Sequence, residues 1–113
     1  MLRKPPHPAL SDGQLREILV QAIEAKDGAR FIIDERCMAK LEKRGLSTID
    51  MLHVARNWEK VGKRTWDGSA WRYKIEGPNI DCKWMAAVAA IYLNPTSVVA
   101  ITGFIFSRGR PKP

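Results

Sequence analysis

Apolar positions recur along this chain with two different periods, and the change between them divides it. Leu15, Ile18, Leu19, Ala22 and Ile23 follow one another at i, i+3, i+4, i+7 and i+8, the stripe of an amphipathic helix. Ser11 in front of it, with Gln14 three residues on, has the spacing of a capping box, and Gly28 is the predicted stop. Ala29 to Ile33 predicts a brief strand ending in β-branched Ile32 and Ile33. Asp34 then predicts a cap for a helix over 35–43, with Cys37, Met38 and Leu41 turned inward and Gly45 as its end. Ser47-Thr48-Ile49-Asp50 is a second capping box, and Ile49, Leu52, Ala55 and Trp58 share one face of the helix it opens. His53 lies beside that face and reads as a helix-surface or core-edge histidine.

Beyond Trp58 the period shortens to two. Lys60 to Arg64 reads as a basic turn around Gly62. Thr65-Trp66, an Asp67-Gly68 turn and Ala70 to Ile75 read as a hairpin. In its second arm Trp71, Tyr73 and Ile75 alternate with Arg72, Lys74 and Glu76, an aromatic face against a charged one. Gly77-Pro78-Asn79 predicts a turn, Cys82 to Leu93 a central strand apolar on both faces, Asn94-Pro95 its break, and Val98 to Phe106 the last strand. The alanines of the central strand leave room for a close helix. The predicted order is α-β-α-α-β-β-β. That is an α+β fold with a small, mostly antiparallel sheet of three or four strands and helices on one face. Residues 1–10, with Pro5, Pro6 and Pro8, read as an extended arm, 11–106 as one domain, and 107–113 as a basic flexible tail.

Composition changes this picture little. A chain of 113 residues fits one domain, and 45 % apolar with 27 % charged residues excludes wholesale disorder. No apolar run reaches the roughly 18 residues a membrane span requires. MLRKPPHPAL lacks the apolar centre of a signal peptide, so the expectation is a cytoplasmic protein, with export without a cleaved leader as the alternative. Cys37 and Cys82 have no CxxC spacing and read as buried, reduced thiols. With only His7 and His53 beside them, no metal and no cofactor are expected.

Charge changes it more. Nineteen Lys and Arg against twelve Asp and Glu give a net +7. Residues 36–74 hold ten of the basic and four of the acidic side chains, and the segment SRGRPKP adds three more cations. A basic patch inside a fold suggests a polyanion partner. There is no GxxxxGK[ST] loop, no GxGxxG and no GxSxG elbow. What the residues permit is metal-free RNA cleavage, in which the 2′-hydroxyl attacks its own phosphate. It needs a proton acceptor, cations for the phosphorane charge and a donor to the leaving oxygen. Arg36, Lys40, Arg44, Arg72, Lys74 and Lys83 are candidates for charge, Tyr73 and Thr102 for hydroxyls, and Trp66 and Trp71 for base stacking. Lys43, Lys63 and Arg64 extend the basic surface. The general base is the open position: His53 is the only internal histidine, and a lysine would need its pKa lowered.

FIIDERCMAKLEKRGLS resembles the helix of a small bacterial family, domain of unknown function 4258, which reads strand-HA-x-x-R-M-x-x-R-G-[IL]-[ST]. WRYKIEGPNIDCKWMAAVAAIYLNPTSVVAIT is similar to its later strands, RY-x-V-x-G…G-[KR]-x-L-x-V-V…VVVIT. The likeness covers residues 29–106. The family is placed with the RelE/ParE-like (BECR-type) toxins, so the resemblance implies a compact αβ fold acting on RNA, alone or with the ribosome, and an antitoxin or immunity partner. Arg44-Gly45 and Arg72-Tyr73 match the family's Arg-Gly and Arg-Tyr. Lys40 stands where its middle arginine would, Lys83 takes the basic position before the central strand, and Thr102 takes the last strand's threonine. Arg36 stands where the family has its histidine. Three readings follow: an RNA-cleaving toxin-like domain, a non-catalytic nucleic-acid-binding module, and an interaction or inhibitor module whose basic face meets an acidic protein. All expect cations from the early helix and the later strands to meet in one pocket.

Overall fold

Each α-helix begins at a side chain that accepts a backbone N–H three residues ahead. In the computed structural model, which describes residues 4–106, Ser11 and Gln14 close a capping box over α1 (Asp12–Ile23). Asp34 accepts from the Cys37 N–H over α2 (Glu35–Lys43), and Ser47 and Asp50 close a second box over α3 (Thr48–Asn57). The predicted basic tail, 107–113, lies outside the described residues.

β1 (Arg30–Ile32), β2 (Lys60–Trp66), β3 (Trp71–Pro78), β4 (Trp84–Tyr92) and β5 (Ser97–Ile105) form one sheet in the order β1-β5-β4-β3-β2. β1 runs parallel to β5 and the other neighbours are antiparallel. The sheet is therefore five-stranded and mixed, where three or four mostly antiparallel strands are predicted. The difference lies at Lys60 to Arg64. These residues do not turn; they continue the hairpin's first arm along β3, back to the Lys60–Glu76 pair. β2 is an outer edge with a register shift between Val61 and Arg64 and exposed Lys60 and Lys63, features that oppose pairing with a foreign strand. Gly77 and Pro78 likewise belong to β3 and not to a turn.

All three helices bury one cluster with alternate positions of the sheet. Leu15, Leu19, Cys37, Leu41, Met51 and Val54 pack against Tyr73, Ile75, Met85, Ala87, Ala89, Ile91, Val98 and Ala100. Period two then assigns Arg72, Lys74, Glu76, Trp84, Ala86, Val88 and Ala90 to the opposite face, which carries no helix of the described chain. Gly103 marks how tightly the covered face is packed. A Cβ there would stand 3.0 to 3.2 Å from Met85 Cε, Leu41 Cδ2 and Met51 Cε.

Four local expectations change. The first helix stops at Ile23, with Ala25 left-handed just after it; Gly28 is left-handed as predicted, with φ of 80°, but it ends a short 3-10 turn, Lys26–Gly28, and not the helix itself. On α3 the buried apolar residues are Met51, Val54 and Ala55, whereas Ile49 is 60 % exposed. Met38 also faces out. Cys82 is exposed, in the left-handed conformation between β3 and β4; only Cys37 is a buried thiol, and its burial raises its pKa.

The N-terminal arm is strapped across the hairpin on the covered side. Trp71 Nε1 donates to the His7 carbonyl, the Leu10 N–H donates to the Tyr73 hydroxyl, and Arg64 Nε donates to the Leu10 carbonyl. No described helix is long and apolar enough to cross a membrane.

Candidate nucleic-acid interface

The helix-free face is a shallow trough with a floor of small side chains. Ala86, Val88 and Ala90 of the central strand form the floor, and Ala86 and Ala90 are buried without any helix above them. Longer side chains stand on the flanking strands. The registers set these out in rows: Lys74, Val88 and Thr102 lie abreast, as do Glu76, Ala86 and Phe104. Opposite walls are two strand spacings apart, about 10 Å.

Lys74 leans across the floor. Its Nζ lies 5.5 Å from the Phe104 ring centroid and 5.6 Å from that of Phe106, within cation–π range. The two rings pack edge to face with centroids 5.4 Å apart. Both are half-buried, which leaves aromatic surface beside a cation.

Arg44 enters the far wall from the end of α2. β1 pairs only with Ser97 to Val99, so β5 beyond that point has no strand on its outer side. Arg44 Nη1 fills part of the gap, donating to the Gly103 carbonyl at 2.8 Å and to Thr102 Oγ1 at 2.7 Å. Gly45, with φ of 71°, turns the chain at this point. Among the described residues neither Arg44 nor Lys74 is paired with a carboxylate.

The other predicted residues are placed less uniformly. Arg72 shares the open face, but its Nε donates to Asp67 Oδ2 at 2.8 Å. Asp67 also accepts from the Ala70 and Ser69 amides, and these, with Arg72, hold its pKa far below the usual carboxylate range. A carboxylate whose folded pKa is depressed contributes stability above its unfolded pKa, near 4, and loses it as pH falls toward the folded value. Asp67→Asn should therefore cost about 1 kcal/mol at pH 7, allowing for solvent screening. The gap to wild type should close as pH drops below about 4. Urea unfolding across pH checks this; a gap independent of pH would show that the charge contributes nothing.

Tyr73 faces the covered side, buried, with its hydroxyl accepting from Leu10 and its pKa raised by burial. It is not available to a substrate on the open face. Arg64 also points to the covered side, tied to Leu10 and Asp12. Trp66 and Trp71 meet edge to face at 5.8 Å at the hairpin end; Trp66 lines a cavity of about 500 Å³ with His7 and Tyr92. Arg36, Lys40 and Lys43 stay on α2; Arg36 and Lys40 share a flank with Arg44 at i, i+4 and i+8. Lys63 is on the outer edge strand and Lys83 in the β3–β4 connection, both exposed. The expected convergence of Arg36, Lys40, Arg72 and Lys83 is thus replaced by a smaller group, Arg44, Lys74 and Thr102, with Arg72 alongside. His53 is turned away, donating from Nδ1 to the Pro78 carbonyl at 3.0 Å.

Three contributors to this face were not among the predicted site residues: Phe104, Phe106 and Glu76. The alternation Thr102, Phe104, Phe106 in ITGFIF would have revealed the first two. Glu76 is 7 % exposed, and its Oε1 accepts from Trp84 Nε1 at 3.4 Å. The chain matches no family model, no curated protein sequence and no solved structure.

Proposed function

We propose that this chain is an RNA-directed domain of the RelE/ParE-like kind, a toxin or a protein derived from one, which holds a single strand on the helix-free face of its sheet. The observation that carries the reading is the placement of Lys74 over the Phe104–Phe106 pair, facing Arg44 and Thr102 across Val88. Half-buried aromatic rings accept a base of any sequence by stacking, and two cations without carboxylate partners among the described residues meet the flanking phosphates. The Arg44-Gly45 and Arg72-Tyr73 motifs add the family resemblance, although Tyr73 supports the core and not the face. An antitoxin or immunity protein would cover the same face with acidic side chains.

A non-catalytic binding module is the second reading. Arg36 stands in the family histidine's place, and His53 is engaged by Pro78. Both readings expect short single-stranded RNA to bind with log K falling against log salt at a slope of about −1.4, the value for two phosphates. Fluorescence anisotropy in a salt series measures it. Absence of binding to RNA and to ribosomes at low salt would remove both readings and leave the interaction with an acidic protein.

A further inference from the structure

The open face contains a buried carboxylate, that of Glu76, which forms no ion pair among the described residues. We infer that Glu76 is the general base of a metal-independent ribonuclease, an inference that rests on the RNA reading above.

Among the described residues Glu76 is the only acid that the registers put on the trough. It lies abreast of Phe104 across Ala86, and one step along the same strand face from Lys74, about 7 Å between Cα atoms. Its Oε1 accepts from Trp84 Nε1, which orients the carboxylate. Oε2 has no partner among the described residues, and no ion pair forms there although Lys60 is its cross-strand neighbour. Gly62 lies beside it on the edge strand: a Cβ at that position would stand at ordinary contact distance, 3.8 Å from Oε2 and 3.7 Å from Lys74 Cδ.

The spacing suits one nucleotide step. With a base on Phe104 and its 3′-phosphate between Lys74 and the Arg44–Thr102 pair, the 2′-hydroxyl lies toward Glu76. Glu76 Oε2 takes the hydroxyl proton, and the O2′ electron pair forms a bond to the adjacent phosphorus. The P–O5′ bond breaks, its electron pair stays on O5′, and the Lys74 ammonium supplies the proton for that oxygen. Arg44 and the Thr102 hydroxyl donate to the non-bridging oxygens as their charge grows. The products are a 2′,3′-cyclic phosphate and a 5′-hydroxyl. Solvent returns the proton from Glu76 to Lys74, so no metal or co-reactant is consumed.

The experiment uses 5′-labelled single-stranded RNA, free and on translating ribosomes, with EDTA present, and reads affinity and cleavage separately. Wild type should cleave and leave cyclic phosphate ends. Glu76→Gln, which keeps the shape and the Trp84 contact, should bind within about twofold of wild type yet cleave roughly 10² to 10⁴ times more slowly. If Glu76→Gln fails to fold, wild type on RNA with a single 2′-deoxy nucleotide serves instead, and cleavage should vanish at that step alone. Binding by wild type without cleavage, or Glu76→Gln cleaving at the wild-type rate, overturns the base assignment and leaves the binding reading standing. Cleavage at the 2′-deoxy step does the same. Failure of wild type to bind removes both.

Discussion

Gly77→Ala should lower the free energy of unfolding by about 3 kcal/mol, the upper end of the usual range for overpacking. A Cβ at Gly77 would stand 2.8 Å from Trp58 Cα, 3.2 Å from the Asn57 carbonyl oxygen and 3.4 Å from the Glu59 nitrogen. These are backbone atoms, so no side chain can swing aside. The corner between α3 and β2 is also held from other directions. The Arg16 guanidinium stacks 4.1 Å above the Trp58 ring and donates to the Trp58 carbonyl, and the Glu59 N–H donates to the Glu76 carbonyl. Relieving the clash means moving α3 off the sheet or breaking the start of the β2–β3 ladder. A loss of that size lowers Tm by very roughly 15 °C in a domain of this length. Gly13→Ala is the control, because a Cβ there meets nothing within 4 Å. Its stability should stay the same or rise by up to about 1 kcal/mol. Equal effects at the two glycines in urea unfolding would mean that the Gly77 contact is relieved at little cost.

The double substitution Arg44→Ala with Lys74→Ala should weaken binding of single-stranded RNA by about a hundredfold. Each cation would make a charge-assisted contact to phosphate worth roughly 1.5 kcal/mol or more, and each 1.4 kcal/mol is a factor of ten. The salt slope should flatten by about 1.4, since two phosphates would no longer be neutralised. Fold must be followed in parallel. Removing Arg44 leaves the Gly103 carbonyl to water at an open strand edge, a cost of about 1 kcal/mol that should leave the domain folded. Wild-type affinity in the double variant would move any RNA contact to Arg36, Lys40 and Lys43 on α2, and the open face would lose its role.

Whatever is settled within three or four residues could be read from the chain. Ser11 with Gln14, Asp34 with Cys37, and Ser47 with Asp50 satisfy helix-end groups locally, so those starts carry their own instructions. The alternation of Trp71, Tyr73 and Ile75 with Arg72, Lys74 and Glu76 is as local, because a strand's pleat decides it. The phase of α3 was not local. Ile49 with Leu52 and Met51 with Val54 both have helical spacing, and only docking on β3 and β4 buried the second pair. The same holds for Lys60 to Arg64, whose pairing with β3 makes a strand from residues that read as a turn. It holds for the site most of all. Arg44 finds Thr102 across 58 positions, and Leu10 claims the Tyr73 hydroxyl across 63, removing a predicted catalytic group. Such partners are chosen by which surfaces burial brings together, and hydrophobic attraction has no direction that a stretch of sequence could encode.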